Sequence, residues 1–270
     1  MLYGWARALV FGGIVLACAA EEAKAEDVTE KTASFAARSL EVRDLGGRLV
    51  VEAEDRKDIL LVLRGPKAGV EAVRAEARSG TLSLGGGGID GQTVVRANNV
   101  TTVVSGGGSA TVSIGGRDSS VGIPSRPPLN VVVRVPWRTP VTIERAVDDV
   151  AIGDIDAPLR LGISSASVTV GKVGNTRVQV EGSGDVHLRR VTGDLGIVIG
   201  GSGNVKVDDG EIGVLSIAVD GNGDVDVGGR AQTADIALSG AGDVRVREVA
   251  RKPRVAISGA GDVTVGNWPQ

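Results

Sequence analysis
The sequence predicts an all-β chain wound as a single-stranded β-helix, or β-solenoid, with about 19 residues per coil. Three observations predict it. First, one five-residue word recurs with little change: GSGDV at Gly182, GSGNV at Gly201, GNGDV at Gly221, GAGDV at Gly240 and GAGDV at Gly259. The steps between the words are 19, 20, 19 and 19 residues. Second, the residues after each word alternate apolar and polar with the period of two that belongs to a strand. Third, 41 of the 270 residues are glycine and 42% are hydrophobic, but only 2% are aromatic. The apolar residues are chiefly Val, Ile, Leu and Ala, which suits strands punctuated by glycine turns. Helical repeats do not fit that period, the leucine-rich repeat pattern is missing, and propeller blades are twice as long. A single coil of this size buries too little to stand alone, so the number of repeats is a requirement of stability.

At the amino terminus, residues 1–25 read as a signal peptide. Arg7 supplies a basic start, ALVFGGIVLACAA an apolar run too short to span a membrane, and Ala23-Lys24-Ala25 a small-x-small cleavage site. Cleavage there starts the mature chain at Glu26. A second reading takes Val15-Leu16-Ala17-Cys18 as a lipobox, with Cys18 as the lipidated first residue. Either way the single cysteine belongs to processing. No later segment reaches the ~20 apolar residues of a membrane helix.

Residues 26–130 read as amino-terminal β strands continuous with the solenoid. Leu40, Val42, Leu45, Leu49 and Val51 keep the rhythm of a coil. Strands are expected at Ile59 to Leu63 and Leu82 to Leu84, and AVRAEAR, Ala72 to Arg78, reads as a short helix or an edge strand. Within this part, residues 85–128 form a Gly-rich excursion, hairpin or loop, holding GGGGIDG and SGGGSATVSIGG. Neither run is a phosphate loop, because no Lys follows at Walker spacing. Residues 131–268 read as regular coils with Gly-x-Gly-Asp/Asn-Val turns, introduced by Val131-x-Val133-x-Val135-Pro136. Val150, Val168, Val186, Val205, Val225, Val244 and Val263 mark seven phased units, the last truncated. Between them, Leu188, Val191, Leu195, Ile197 and Ile199, with their equivalents down to Val255 and Ile257, are expected to face the core.

The word itself reads as a corner, a structural turn ladder made of Gly182, Gly184 and Asp185; Gly201, Gly203 and Asn204; Gly221, Gly223 and Asp224; Gly240, Gly242 and Asp243; and Gly259, Gly261 and Asp262. Its glycines are expected to supply positive φ, and its Asp or Asn a local Asx-turn. A stacked row of Asp also invites a cation. However, each coil offers one carboxylate where Ca²⁺ takes six to eight oxygens, and Asn204 dilutes the charge. No metal and no cofactor is assigned.

Gly-x-Gly-Asp/Asn-Val at steps of 19–20 residues behind a signal peptide resembles the head GIN domain family of putative autotransporter adhesins, a domain of unknown function. The resemblance is specific from Val180 to Val265, where all five words lie, and extends in layout from Ser34 to Trp268. It implies an extracytoplasmic, right-handed β-helix with an adhesive role. No translocator barrel follows the last word.

A net charge of -3 gives no basic footprint for nucleic acid. One Cys and one His exclude a disulfide framework, a Cys/His metal site and a Ser-His-Asp set. Phe35, Trp137 and Trp268, the aromatics of the mature chain, are too far apart to lie on neighbouring coils as sugar platforms. His187 sits between Val186 and Leu188, so it faces outward without an evident partner. Arg245, Arg247, Arg251, Lys252 and Arg254 form a basic cluster, with Asp224 and Asp226 one coil earlier as expected partners. Trp268 is expected to cover the open end of the last coil. Together these point to an exported, non-catalytic β-solenoid in the periplasm, on the cell surface or secreted. It would act as a cell-envelope interaction or adhesion-type module, with an envelope protein or polysaccharide as partner. Any membrane contact would come through a lipid anchor. A carbohydrate-active β-helix enzyme and a Ca-stabilised structural rod are the alternatives.

Overall fold
The computed structural model describes residues 28–86, 92–97, 100–105, 109–114, 117–122, 129–146 and 148–268, so the leader and Cys18 lie outside the described residues. The amino-terminal part holds β1 (Val28–Phe35), β2 (Ser39–Leu45), β3 (Arg48–Glu54), β4 (Ile59–Pro66), α1 (Lys67–Ala72), β5 (Val73–Arg78) and β6 (Thr81–Gly86). The Gly-rich region contains two antiparallel hairpins, β7 (Gln92–Ala97) with β8 (Val100–Ser105) and β9 (Ser109–Ile114) with β10 (Arg117–Gly122). The coils follow: β11 (Asn130–Pro136), β12 (Val141–Ala146), β13 (Val150–Ile152), β14 (Leu159–Ile163), β15 (Val168–Val173) and β16 (Thr176–Val180). Three long strands, β17 (Val186–Ile199), β18 (Val205–Val219) and β19 (Val225–Leu238), each supply a whole coil. The chain then passes through β20 (Val244–Val249), β21 (Arg254–Ile257) and β22 (Val263–Asn267).

These strands stack as two ladders. One runs β1–β4–β11–β3–β13–β15 and on through the first halves of β17, β18 and β19 to β20 and β22. The other runs β5–β6–β2–β12–β14–β16 and on through the second halves of the long strands to β21. Pairing is parallel from β3 onward in the first ladder and from β6 onward in the second, as a chain that always circles the same way requires.

The phased valines form one column. Leu49 pairs with Val150, and the register continues through Val168, Val186, Val205, Val225 and Val244 to Val263. Period-two alternation sends these residues inward. Val186, Leu188, Val191, Leu195, Ile197 and Ile199 are all buried, as are their equivalents in β18 and β19. The column ends where the stack ends: Val255 and Ile257, expected in the core, are 44% and 50% exposed because no further coil covers them among the described residues. Trp268, expected as the cover of this end, is itself 37% exposed and does not bury Val255 or Ile257. The amino end is closed instead. There α1 packs on β4 and β1 with Val70 buried, and Val73–Arg78 is an edge strand rather than a helix.

The start of the stack is interleaved. β3 lies between β11 and β13 in one ladder, and β2 lies between β6 and β12 in the other. Segments about one hundred residues apart are therefore stitched together: Gly47 N–H donates to Asp148 Oδ2 at 2.7 Å across 101 residues. At the same seam Asp44 and Arg145 both take left-handed backbone, φ 47 and 53, and Arg145 donates from Nε and Nη2 to the two carboxylate oxygens of Asp44. Among the described residues, no helix is long and apolar enough to cross a membrane.

The Arg145 hydrogen bonds hold the Asp44 carboxyl below its ordinary value of 3.8, with the charges of Arg145 and Arg43 acting in the same sense. A carboxylate with a depressed folded pKa contributes stability that is complete above its unfolded pKa and is lost as pH falls through the folded one. Asn tolerates the left-handed conformation, so Asp44→Asn removes the charge and keeps the backbone. Thermal melts of the two proteins should differ at pH 6, and the gap should narrow as pH falls through the depressed folded value of Asp44.

Candidate functional site
The word corners superimpose rung on rung. The carbonyl of each first glycine points along the stack and accepts an amide of the next corner: Gly182 O from Ser202 N at 2.8 Å, Gly201 O from Asn222 N at 2.9 Å, and Gly221 O from Ala241 N at 3.0 Å. The next first glycine lies directly over that carbonyl. A Cβ on Gly201, Gly221, Gly240 or Gly259 would fall inside 3.0 Å of the carbonyl oxygen of Gly182, Gly201, Gly221 or Gly240 respectively. The second glycines repeat the arrangement, Gly203 over Gly184, Gly223 over Gly203, Gly242 over Gly223 and Gly261 over Gly242. Among the described glycines, positive φ occurs at Gly47, Gly80, Gly86 and Gly193, and at none of the word positions. The expected conformational reason for these glycines is therefore wrong. They are needed because the hydrogen bond between rungs brings backbone onto backbone, a Cα–H···O approach that leaves no room for a side chain.

The acidic residue of the word also acts between coils rather than within its own turn. Asp185 Oδ1 accepts Asn204 N at 2.9 Å and Asn204 Nδ2 at 3.0 Å. Asn204 Oδ1 accepts Asp224 N at 3.0 Å, Asp224 Oδ1 accepts Asp243 N at 2.8 Å, and Asp243 Oδ1 accepts Asp262 N at 3.2 Å. This replaces the local Asx-turn read from the sequence. It also explains why Asn204 fits the row, since only an acceptor oxygen is required. The opposite corner has a shorter version: Asn175 Oδ1 accepts Asp194 N and Asp194 Oδ1 accepts Val214 N, both at 2.9 Å. Among the described residues, no group of three or more His, Cys, Asp or Glu is arranged to hold a metal ion.

Beside the word corner lies a groove of about 230 Å³, with Ser167, Thr169, Asp185, His187, Asn204 and Lys206 on its walls. Thr169, His187 and Lys206 are successive residues of one outward row, fixed by the ladder register. His187 is exposed as expected, but it has a partner: its Nε2 is 2.7 Å from Asp208 Oδ2, and Lys206 Nζ lies 3.7 Å from the other oxygen of the same carboxylate. Asp208 is two residues beyond the register partner of His187, on the same face, so the column that aligns Val186 with Val205 already brings them together. The groove thus presents hydroxyl, amide, carboxylate, imidazole and ammonium groups over a distance of two rungs, a set suited to polar hydrogen-bonding ligands.

The basic cluster pairs differently from the sequence expectation. Arg245 reaches Asp243 at 2.9 Å, two residues earlier in the corner that precedes its strand, and not Asp224 or Asp226. Arg247 donates to Gly228 O at 3.1 Å, and Arg254 lies 3.8 Å from Asp235. Phe35 packs partly buried against the core, while Trp137 is 48% exposed at the turn between β11 and β12.

Residues 154–269 match the family model described as putative auto-transporter adhesin, head GIN domain. A crystal structure of a putative adhesin from Bacteroides fragilis is similar in fold. The two align with a TM-score of 0.50 at 14% identity, covering 88% of this chain and 97% of that one. A putative adhesin from Parabacteroides merdae aligns with a TM-score of 0.46 at 13% identity, covering 88% and 96%. No curated protein matches the sequence.

Two pairs of substitutions separate these causes. Gly200 and Gly201 are neighbours, but a Cβ on Gly200 meets nothing within 4 Å. Gly201→Ala should therefore lose about 1–3 kcal/mol or more in denaturant unfolding, while Gly200→Ala should stay near wild type. At the acidic row, Asp224→Asn should be close to neutral, and Asp224→Ala should cost about 0.5–1.5 kcal/mol by removing the acceptor for Asp243 N.

Proposed function
We propose that this chain is an exported, non-catalytic β-solenoid that works through its outward side chains as an adhesion-type module of the cell envelope. One observation carries the reading. From β13 to β20 the inward positions are filled by the aliphatic columns, with Thr176 buried among them, which leaves the outward rows, held in register, as the surface on which a partner is met. The head GIN match over residues 154–269 supports the adhesion-type role, and the leader-like segment at residues 1–25 supports export. The partner class is an envelope polysaccharide or an envelope protein. The groove along Thr169, His187 and Lys206 is a concavity open to it, and hydrogen bonds to hydroxyl-rich chains suit its mixed donors and acceptors.

The test is binding to arrayed envelope glycans and purified envelope proteins, together with fractionation of the producing cell. Retention of a ligand is expected, weakened about tenfold by the combined change His187→Ala and Lys206→Ala while Gly200→Ala binds normally. Recovery of the chain from the cytosol would overturn export. Turnover of a polysaccharide, abolished by changing Asp224 or Asp243, would replace this reading with an enzyme.

A further inference from the structure
The outward rows mostly set opposite charges side by side. The ladder register places Glu211 next to Arg230, Arg230 next to Glu248 and Asp226 next to Arg245. On the outside of the second ladder it does the reverse: Arg160 of β14 stands directly beside Arg177 of β16, one rung or ~4.8 Å away. Both point outward, since Leu159, Leu161, Thr176 and Val178 on either side of them are buried. Both are exposed, and neither has an ion-pair or hydrogen-bond partner among the described residues. Lys172 and Arg190 also share a register position, but there Arg190 lies 3.6 Å from Asp209. A guanidinium keeps its charge at any ordinary pH, and like charges directly opposite on a sheet are destabilising. At this one place the surface carries a repulsion that neighbouring rows relieve.

The same row runs on through Gly196 to Ser216. Gly196 lies inside β17, where a Cβ would meet one atom within 4 Å, Arg177 Cγ at 3.9 Å, and its φ is not positive. Neither space nor torsion calls for glycine here, in contrast to the word corners. Glycine inside a strand weakens it and marks places where a ligand comes close to the backbone. The missing side chain leaves a flat floor beside Arg177, with the exposed Ser216 hydroxyl at its far edge. Carboxylates bordering this face are engaged: Glu181 accepts from Gln179 Nε2 at 2.9 Å, and Asp235, next beyond Ser216, lies 3.8 Å from Arg254. On the other side of Arg160 the row continues with the neutral Thr142.

The geometry points to a binding strip for an acidic polysaccharide. Sugar carboxylates pair with the forks of Arg160 and Arg177, a ring lies on the bare backbone of Gly196, and Ser216 meets a ring hydroxyl. The strip spans three rungs, roughly 14 Å, which suits a chain of several sugars laid along the axis. The protein is net negative at -3, so a polyanion is not drawn to it by overall charge and needs such a local focus. This inference rests on the reading of the outward rows as the surface that meets an envelope partner, and it adds the charge of that partner and a second place for it, apart from the Thr169–His187–Lys206 groove.

The experiment measures fluorescence anisotropy of labelled oligogalacturonate, and of its methyl ester, with the full chain. The acid form should bind at least about tenfold tighter than the ester and weaken with added salt. The combined change Arg160→Gln and Arg177→Gln should weaken it at least about tenfold, while Arg251→Gln with Lys252→Gln, the same loss of charge at exposed positions elsewhere, should leave it unchanged. Gly196→Glu, which places a carboxylate of the chain itself on the floor, should abolish binding without lowering the melting temperature. No binding, equal binding of acid and ester, or equal weakening by the two double variants would overturn the strip. Phosphatidylglycerol vesicles that displace the sugar and need the same two arginines would overturn it in favour of a lipid surface. Failure of oligogalacturonate to bind while His187→Ala with Lys206→Ala still weakens binding on the arrays sinks this inference alone, and recovery of the chain from the cytosol sinks only the export reading.

Discussion
The corner of this solenoid is narrower than a methyl group. Carbonyls at each word point down the stack into the amides of the next word, and that hydrogen bond draws two backbones together until only Cα hydrogens fit between them. The remaining features of the coils follow from this approach. It fixes the rise from rung to rung, which keeps the valine column in line, which in turn sets every outward residue in a row. The acidic position then adds its own bond between rungs, so each corner is held by a main-chain and a side-chain link. Repetition here is a steric consequence. A corner that must lie on an identical corner has little freedom to differ from it.

The coils were legible because their signal is periodic and local. The word spacing placed Val186, Val205, Val225, Val244 and Val263 in one column without knowledge of any contact. The reason for the glycines was not legible. Positive φ and close approach both select glycine, and a sequence does not separate a torsional need from a shortage of space. The acidic residue was misread for a similar reason: an oxygen that caps its own turn and one that reaches the next rung leave the same letter at the same place.

The site was legible in part. His187 could be placed outside, but its bond to Asp208 required the register and the face of each strand to be combined, a step the core residues alone do not prompt. The charged pairs of the basic cluster were harder. Long side chains choose among several carboxylates within reach, and Arg245 takes the one two residues before it in sequence. Exposed pairs of this kind are nearly equal in energy, so spacing does not rank them. The ends were least legible, because burial at an end depends on what covers it. Val255 and Ile257 carry the pattern of core residues and lack only a neighbour.

The interleaved start of the stack bears on the order in which the molecule assembles. Beyond Val150 every new rung closes on a rung one period behind it, a short loop. The seam joining Gly47 to Asp148 and Asp44 to Arg145 spans 101 residues. Closing a loop of that length in place of one near 19 residues costs roughly 1.5 kcal/mol more in chain entropy. That closure lies between an early-made segment and one made much later, so β3, and the edge of β2 not covered by β6, must wait for their neighbours. Once the seam forms, the remaining coils add one at a time like turns of a closing zip, and the slow step of folding is placed at the head of the rod rather than among its repeats.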